Sequence, residues 1–375
     1  MKKIILSGLL LFTLVWSCKD DDAPILPDPA DRDLTNIPYN PTPHNLTIPP
    51  GFPSMIIPPD NPLTEEGIEL GRRLFYDPIL SKDSTISCGS CHAPNGNFSD
   101  NKAFSPGVGN LIGTRSSMPL ANIGFFDNGL FWDGRAADLE HQALGPVENP
   151  VEMAEVWSNV EKKLIRHSDY PERFRKAFGI GKAGEITKEL AAKAISQFER
   201  TMISGNSRYD QKRYQLDPDP FLFSELEAEG YQIYFDANGA TANAGHCAHC
   251  HDGGPLLTSD GYFNNAITQV NSLDDFVDKG LGGVTGVRAD NGKFRAPSLR
   301  NITLSAPYMH DGRFQTLEQV IDHYNSGGHY ADNVQVASIM PLYLTDDQKK
   351  ALRAFLDTFT DTSFVNNPAL QNPFQ

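Results

Sequence analysis

Two segments of this chain, Cys88-Gly89-Ser90-Cys91-His92 and Cys247-Ala248-His249-Cys250-His251, repeat one pattern, C-x-x-C-H. The pattern constrains the fold because it fixes a cofactor. Two thiols three residues apart reach adjacent vinyl groups of one porphyrin and form thioethers, and the histidine that follows lies beneath the iron as its proximal ligand. Three blander readings compete. A four-thiolate zinc site would use both pairs, but they are far apart in sequence and zinc does not require the histidines. A thioredoxin-like redox pair needs no histidine either. Simple disulfides are open to any exported chain. Two occurrences, both ending in His, favour two covalently bound haem c groups. Cys88, Cys91, Cys247 and Cys250 are then the attachment points, and His92 and His251 the iron ligands. His246 and His249 flank the second motif and are not assigned to its iron. The expected fold is mainly α, with two cytochrome c-like haem domains and long irregular loops.

A fifth cysteine, Cys18, has a separate use. Lys2 and Lys3 precede a short apolar run from Ile4 to Trp16, too short to span a bilayer, which ends at Val15-Trp16-Ser17-Cys18. This resembles a bacterial lipoprotein signal, with 1–17 removed and Cys18 lipidated; Trp16 is bulkier than that pattern usually carries. An ordinary signal peptide with an incidental cysteine is the alternative. The following Lys19-Asp20-Asp21-Asp22 resembles a lipoprotein export signal and points to the outer membrane, with the protein facing the periplasm or the surface. No other segment is apolar enough to cross a membrane, so the lipid is the expected membrane contact. The formal net charge of −15 argues against a nucleic-acid partner.

The chain of 375 residues suggests two domains at roughly 150 residues each. Residues 18–50, rich in Pro, Asp and Asn, read as a disordered tether. Capping residues and helical spacing predict helices over Thr64–Tyr76, Val156–Phe178, Thr187–Ile203, Ser224–Phe235, Leu317–Tyr324 and Asp346–Phe359. Residues 93–130 look like ordered loop. The polar run ending in Asp217-Pro218-Asp219-Pro220 places the boundary between an N-terminal haem domain, 51–212, and a C-terminal one, 213–375. Helix, loop and haem motif recur in that order in both halves, as in a duplicated unit.

With both haem motifs, further segments resemble the bacterial dihaem cytochrome c peroxidase family, which includes MauG. They are Phe131-Trp132-Asp133-Gly134-Arg135, Gly145-Pro146-Val147 through Glu152-Met153, Pro297-Ser298-Leu299-Arg300-Asn301, Ala306-Pro307-Tyr308-Met309-His310-Asp311-Gly312 and Thr316-Leu317-Glu318. The match runs over about residues 60–360. It implies a peroxidatic haem on His92 and a haem on His251 that receives electrons. Trp132 matches the tryptophan between the two, and Gln142 and Glu152 match the pair that orients peroxide and shuttles its proton. Taken alone, Trp132 would read as a core aromatic and Glu152 as a surface carboxylate. The resemblance also implies hydrogen peroxide as substrate and an electron-donor cytochrome or other small redox protein as partner, and it admits a homodimer.

Two departures from the better-known peroxidases stand out. The histidine that caps their peroxidatic iron falls on Val108 here, and no histidine occurs between His92 and His141. The methionine eight residues beyond Thr316 is replaced by Tyr324, as in MauG, which makes Tyr324 the expected second ligand of the His251 iron; Met309, His310 and His323 are the alternatives. A hard anionic phenolate stabilises oxidised iron better than a thioether does. The family's interdomain calcium would rest on Ser305 and Pro307, with Ser116 replacing an asparagine ligand. Two rival functions remain at this stage. One is MauG-like oxidation of a protein or organic molecule; the other is a non-catalytic dihaem electron carrier. A haem sensor would need a signalling module, and none is visible.

Overall fold

The computed structural model describes residues 28–214, 223–235, 247–252, 254–334 and 339–375. The export signal with Cys18, the stretch Asp217-Pro218-Asp219-Pro220, the loop ahead of the second motif and His246 lie outside them.

Helices start where the sequence supplies a cap. Thr64 accepts from the Gly67 N–H and opens Glu65–Tyr76. Thr187, Thr316 and Thr345 do the same for Lys188–Glu199, Leu317–Ser326 and Asp346–Asp357. Ser224 and Glu227 bond each other's backbone N–H at the start of Glu225–Phe235. Each such bond satisfies one of the N–H groups a helix start leaves unpaired.

Two helix expectations need correction. Val156–Phe178 is not one helix but two, Trp157–Arg166 and Tyr170–Phe178. Pro171 cannot donate within a continuing helix but fits the first turn of a new one. A helix that the pattern did not show, Leu139–Glu148, contains Pro146 and carries Gln142. Among the described residues the paired strands are Tyr262–Phe263 and Phe294–Arg295, antiparallel, so the structure is mainly helical.

The two halves repeat one packing device. The helix preceding the first C-x-x-C-H, Glu65–Tyr76, lies on Lys188–Glu199 so closely that a Cβ on Gly71 would sit 1.8 Å from the Ala194 carbonyl oxygen. The helix preceding the second, Glu225–Phe235, lies on Asp346–Asp357, and a Cβ on Gly230 would sit 2.0 Å from the Ala351 carbonyl oxygen. In each half a glycine lets two backbones meet, and the helix that leads toward a haem motif is fixed by that contact.

One apolar core gathers residues from Leu34 to Met202, and a second gathers residues from Tyr209 to Phe359. The chain ends depart from expectation. The tether does not extend to residue 50. Leu34 is fully buried, its N–H donates to the Gly181 carbonyl, and the His44 and Glu65 N–H groups pair with Leu63 and Thr42. Averaged composition argued for disorder, but one seated leucine and a few backbone bonds order an extended strap. Nor does the C-terminal end stay with the second half. Phe364 and Leu370 join the first core, and the Asp361 carboxylate accepts from Ser204, Gly205 and Asn206. The Tyr76 hydroxyl donates to the Leu370 carbonyl at 2.6 Å.

Leu34→Ala should therefore destabilise the holoprotein by about 2–5 kcal/mol, the usual cost of emptying a buried leucine site. Denaturant unfolding measures it; an unchanged midpoint would mean the strap is a tether after all.

Candidate active site and cofactor centres

The first motif forms a short helix, Cys88–Cys91, capped by Ser87 and Ser90. His92 follows it, partly buried, with the ring held from behind. Its Nδ1 lies 2.8 Å from the Phe98 carbonyl oxygen. A carbonyl only accepts, so Nδ1 carries the proton and Nε2 is left with a free lone pair. Ser117 Oγ stands 3.3 Å from the same nitrogen and donates to the Cys91 carbonyl at 2.7 Å. Asn97 and Phe98 adopt positive φ, which turns the chain back toward the ring, and Asn97 is tied to Arg300 and Asn301 of the second half.

The second motif repeats the arrangement on Cys247–His251. His251 Nδ1 lies 3.0 Å from the Pro297 carbonyl oxygen, again freeing Nε2. That carbonyl is steadied on both sides, by Thr258 donating to Ala296 and Ser298 donating to Leu256. An apolar cavity, partly open to solvent, adjoins His251, Cys247 and Cys250 and reaches Trp132, Met309 and Tyr324.

Electrostatics agree with this use of the side chains. Burial pushes His251 down to about 4 and lowers His92, so both imidazoles are neutral, as iron ligands must be. Burial pushes the Cys91 and Cys250 thiols up to about 11 and Cys247 up to about 12, with Cys88 higher still. A redox-active pair needs the opposite shift. The four described thiols form no disulfide. Among the described residues no three His, Cys, Asp or Glu side chains gather into a metal cluster, so the two pairs make no common zinc site. Two thiols beside a histidine with a free Nε2, given twice and once facing a large apolar cavity, fit haem.

Among the candidate ligands at the second centre, Tyr324 and Met309 both face the cavity. His323 is turned away, its Nε2 donating to the Asn265 carbonyl at 2.9 Å. His310 also lines the cavity, but its ring is stacked on Phe294 at 3.6 Å. Burial raises the Tyr324 phenol, and the Asn265 side chain opposes that rise. Sequence reasoning missed Asn265 because nothing in its local pattern marks it.

Trp132 is 8% exposed, and its indole N–H donates to the Ser116 carbonyl at 2.9 Å. The next residue, Ser117, touches His92, while the Trp132 ring lines the His251 cavity. Buried Asp133, just after Trp132, pairs with Arg115, whose guanidinium also holds Asp278.

Near the first centre, the Glu152 carboxylate accepts from Asn149 Nδ2 at 2.5 Å. Burial raises its pKa, against the pull of Asn149 and Arg135, and its charge acts on both Cys88 and Cys91. Val108 N–H donates to the Glu152 carbonyl at 2.8 Å, and a Cβ on Gly107 would sit 2.2 Å from the Val151 carbonyl oxygen. The Val108 loop is thus fastened beside Glu152. Gln142 is half-buried, and no hydrogen bond joins it to Glu152 among the described residues. At the expected calcium position, Ser305 is buried, and the Ser116 hydroxyl donates to the Met309 carbonyl. Any cation there would rely mainly on backbone carbonyls.

Paired haem-type centres in a mainly helical, internally repeated chain define the class of dihaem proteins. The family model for di-haem cytochrome c peroxidase matches residues 65–216. The chain is 37% identical over 261 residues to cytochrome c551 peroxidase of Nitrosomonas europaea, covering 68% of this chain and 71% of that one. It is 32% identical over 301 residues to the methylamine utilization protein MauG of Methylorubrum extorquens, covering 80% of each. A crystal structure of a MauG-like protein associated with microbial copper homeostasis superposes with a TM-score of 0.79 at 32% identity, covering 88% of this chain and all of that one. The chain belongs to the dihaem cytochrome c peroxidase family and is a peroxidase-type oxidoreductase with two haem cofactors.

One buried carboxyl was not foreseen. Glu199 ends the helix packed on Glu65–Tyr76; its Oε2 has no hydrogen-bond partner, and burial pushes it up to about 8. The ordinary carboxylate value is 4.5, so the folded state holds a proton that the unfolded state releases between these values. Wild-type stability is then full below about 4.5 and is lost as pH rises toward about 8. Glu199→Gln should show a stability gain over wild type that grows from pH 5 to pH 8 and then levels off. Thermal unfolding across that range checks it, and a pH-independent difference would contradict it.

Proposed function

We propose that this chain reduces hydrogen peroxide to water at the His92 centre, with electrons delivered through the His251 centre by a cytochrome or another small redox protein. Haem, attached through Cys88 and Cys91 and through Cys247 and Cys250, supplies the iron that binds peroxide and exchanges electrons. The remaining steps belong to side chains. His92 and His251 offer Nε2 to the metals, oriented by the Phe98 and Pro297 carbonyls. Glu152 takes a proton from the bound oxygen of peroxide and returns it to the departing oxygen, which leaves as water. Gln142, on the helix leading into the Glu152 turn, orients the peroxide. Two electrons from the donor and two protons from solvent balance the reduction to two waters. Trp132, spanning from the Ser116–Ser117 segment beside His92 to the His251 cavity, carries electrons between the centres. Tyr324, which lines the same cavity, would supply the second ligand at the His251 centre. Cys18 anchors the exported protein to the outer membrane through lipid; among the described residues no helix is long and apolar enough to cross a membrane.

The observation that carries this reading is the place of Glu152. Its carboxylate is partly buried, lifted in pKa and electrostatically coupled to the Cys88 and Cys91 thiols, with Val108 fastened alongside. Valine cannot ligate iron, so this loop brings no cap to the peroxide face. The position of Tyr324 in the His251 cavity favours a second reading, MauG-like oxidation of a protein or organic substrate. Peroxide turnover that stays negligible with reduced small cytochromes but proceeds with an oxidisable organic donor would select it.

The oxidised protein is expected to contain one high-spin haem and to respond to one equivalent of hydrogen peroxide without prior reduction. Optical and electron paramagnetic resonance spectra before and after addition test this. Low-spin haem alone, with no response, would refute it and rule for a pure electron carrier.

Glu152→Gln should keep both haems and slow peroxide cleavage by about 10²–10⁴-fold, the scale for losing a positioned acid–base group. Since the wild-type group acts as carboxylate, kcat/KM should fall as pH drops through a value above the ordinary 4.5, and the variant should lack that limb. A variant with wild-type rates would remove Glu152 from the mechanism.

A further inference from the structure

The cavity beside His251 is lined by several side chains with a donor atom, among them the Tyr324 oxygen and the Met309 sulfur; His310 is stacked on Phe294, and the Tyr308 hydroxyl donates to the Ile302 carbonyl. Asn265 lines the same cavity, and its Nδ2 donates to Met309 Sδ at 3.2 Å. A thioether has no proton to give, so the amide must turn its NH₂ group toward the sulfur.

Asn265 is well placed to hold this position. Its carbonyl accepts from His323 Nε2 at 2.9 Å, which ties it to the residue before Tyr324. Its neighbours are locked as well. Asn264 Nδ2 donates to Asn333 Oδ1 at 2.8 Å, the Ala266 N–H donates to Asn264 Oδ1 at 3.0 Å, and the Ala266 carbonyl accepts from His329. Ala266 also adopts a positive φ, a conformation kept only where surrounding contacts impose it.

We propose that Asn265 is a positioning residue that selects the ligand at the second centre: its NH₂ group engages the Met309 sulfur and leaves the Tyr324 oxygen to the iron. This rests on the reading of Tyr324 as that ligand. Without such a device the two donors would exchange with oxidation state. The hard oxygen suits oxidised iron; the thioether suits reduced iron and raises its potential. An amide that occupies the sulfur lone pair keeps oxygen ligation across the cycle.

The test uses the holoprotein carrying Asn265→Leu, similar in shape but unable to donate. Reduced and oxidised optical spectra, low-spin paramagnetic resonance and the midpoint potential of the second centre are read, with haem content as the folding control. A thioether-to-iron signature should appear on reduction and the midpoint should shift upward. Adding Met309→Leu to that variant should abolish the signature and return the midpoint toward the wild-type value, because the thioether is then gone. Unchanged ligation and midpoint in Asn265→Leu would overturn the proposal. Should that variant fail to fold, Met309→Leu alone decides: ligation unchanged in both oxidation states supports the proposal, and loss of a ligand overturns it. Tyr324→Phe separates the two levels of argument. If it leaves the second centre's spectrum unaltered, the ligand assignment itself has failed; if it removes the oxygen signature while Asn265→Leu does nothing, only the role of Asn265 has.

Discussion

A histidine can present one chosen nitrogen to a metal only if something holds the other. In this protein that something is a backbone carbonyl, Phe98 for His92 and Pro297 for His251. The bond sets the tautomer, fixes the ring plane and makes the ligand more basic. Backbone acceptors are less easily displaced than side chains, but they must be aimed by the chain around them. Much of the irregular structure serves that end. The left-handed residues Asn97 and Phe98 turn one carbonyl inward, and the Thr258 and Ser298 hydroxyls steady the segment that carries the other. Long loops around a haem centre are thus part of the ligand geometry.

The same carbonyl at the first centre is coupled to the second half. Asn97 bonds Arg300 and Asn301, and the fully buried Arg300 guanidinium pairs with Asp210 and donates to the Pro255 carbonyl. A buried ion pair of this kind adds little net stability over apolar packing, but breaking it strands a charge and is costly. It therefore fixes the segment that Asn97 of the first centre bonds to. The Trp132 indole is bonded to Ser116 next to the first centre, and its carbonyl accepts from Arg295, whose strand adjoins the second cavity. The electron transfer proposed between the centres needs a fixed gap, and Trp132 is held from both sides.

Much of this was legible in the sequence where the signal is local. Thr64, Thr187 and Ser224 announced their helices because a cap acts within one turn. The haem motifs needed no tertiary information, since the chemistry demands their spacing. What could not be read was anything decided across the chain. The strap around Leu34 looks disordered in composition and is ordered by a groove formed far away in sequence. The tail bearing Phe364 and Leu370 returns to the first core for the same reason. Pro146 hid a helix, and Pro171 began one where periodicity ran on. Asn265, Asn149 and Ser117 carry no pattern, because their roles exist only once a loop brings them to a histidine, a carboxylate or a sulfur.

The two centres share their proximal design and differ on the other side. Beside the first, the Val108 loop is fastened to the Glu152 backbone and carries no ligating side chain, while the Glu152 carboxylate is held by an amide and partly withdrawn from water. Beside the second, Tyr324 and Met309 face one cavity, and the Asn265 amide donates to the Met309 sulfur. The halves share one packing device, Gly71 against Ala194 and Gly230 against Ala351, and differ in the loops beside each centre. An open metal beside an acid–base carboxylate can do chemistry on a small molecule, and a closed one can change charge with little rearrangement of its ligands. The proposed function uses both in one frame, joined by a bonded tryptophan, as a reaction site and its electron supply.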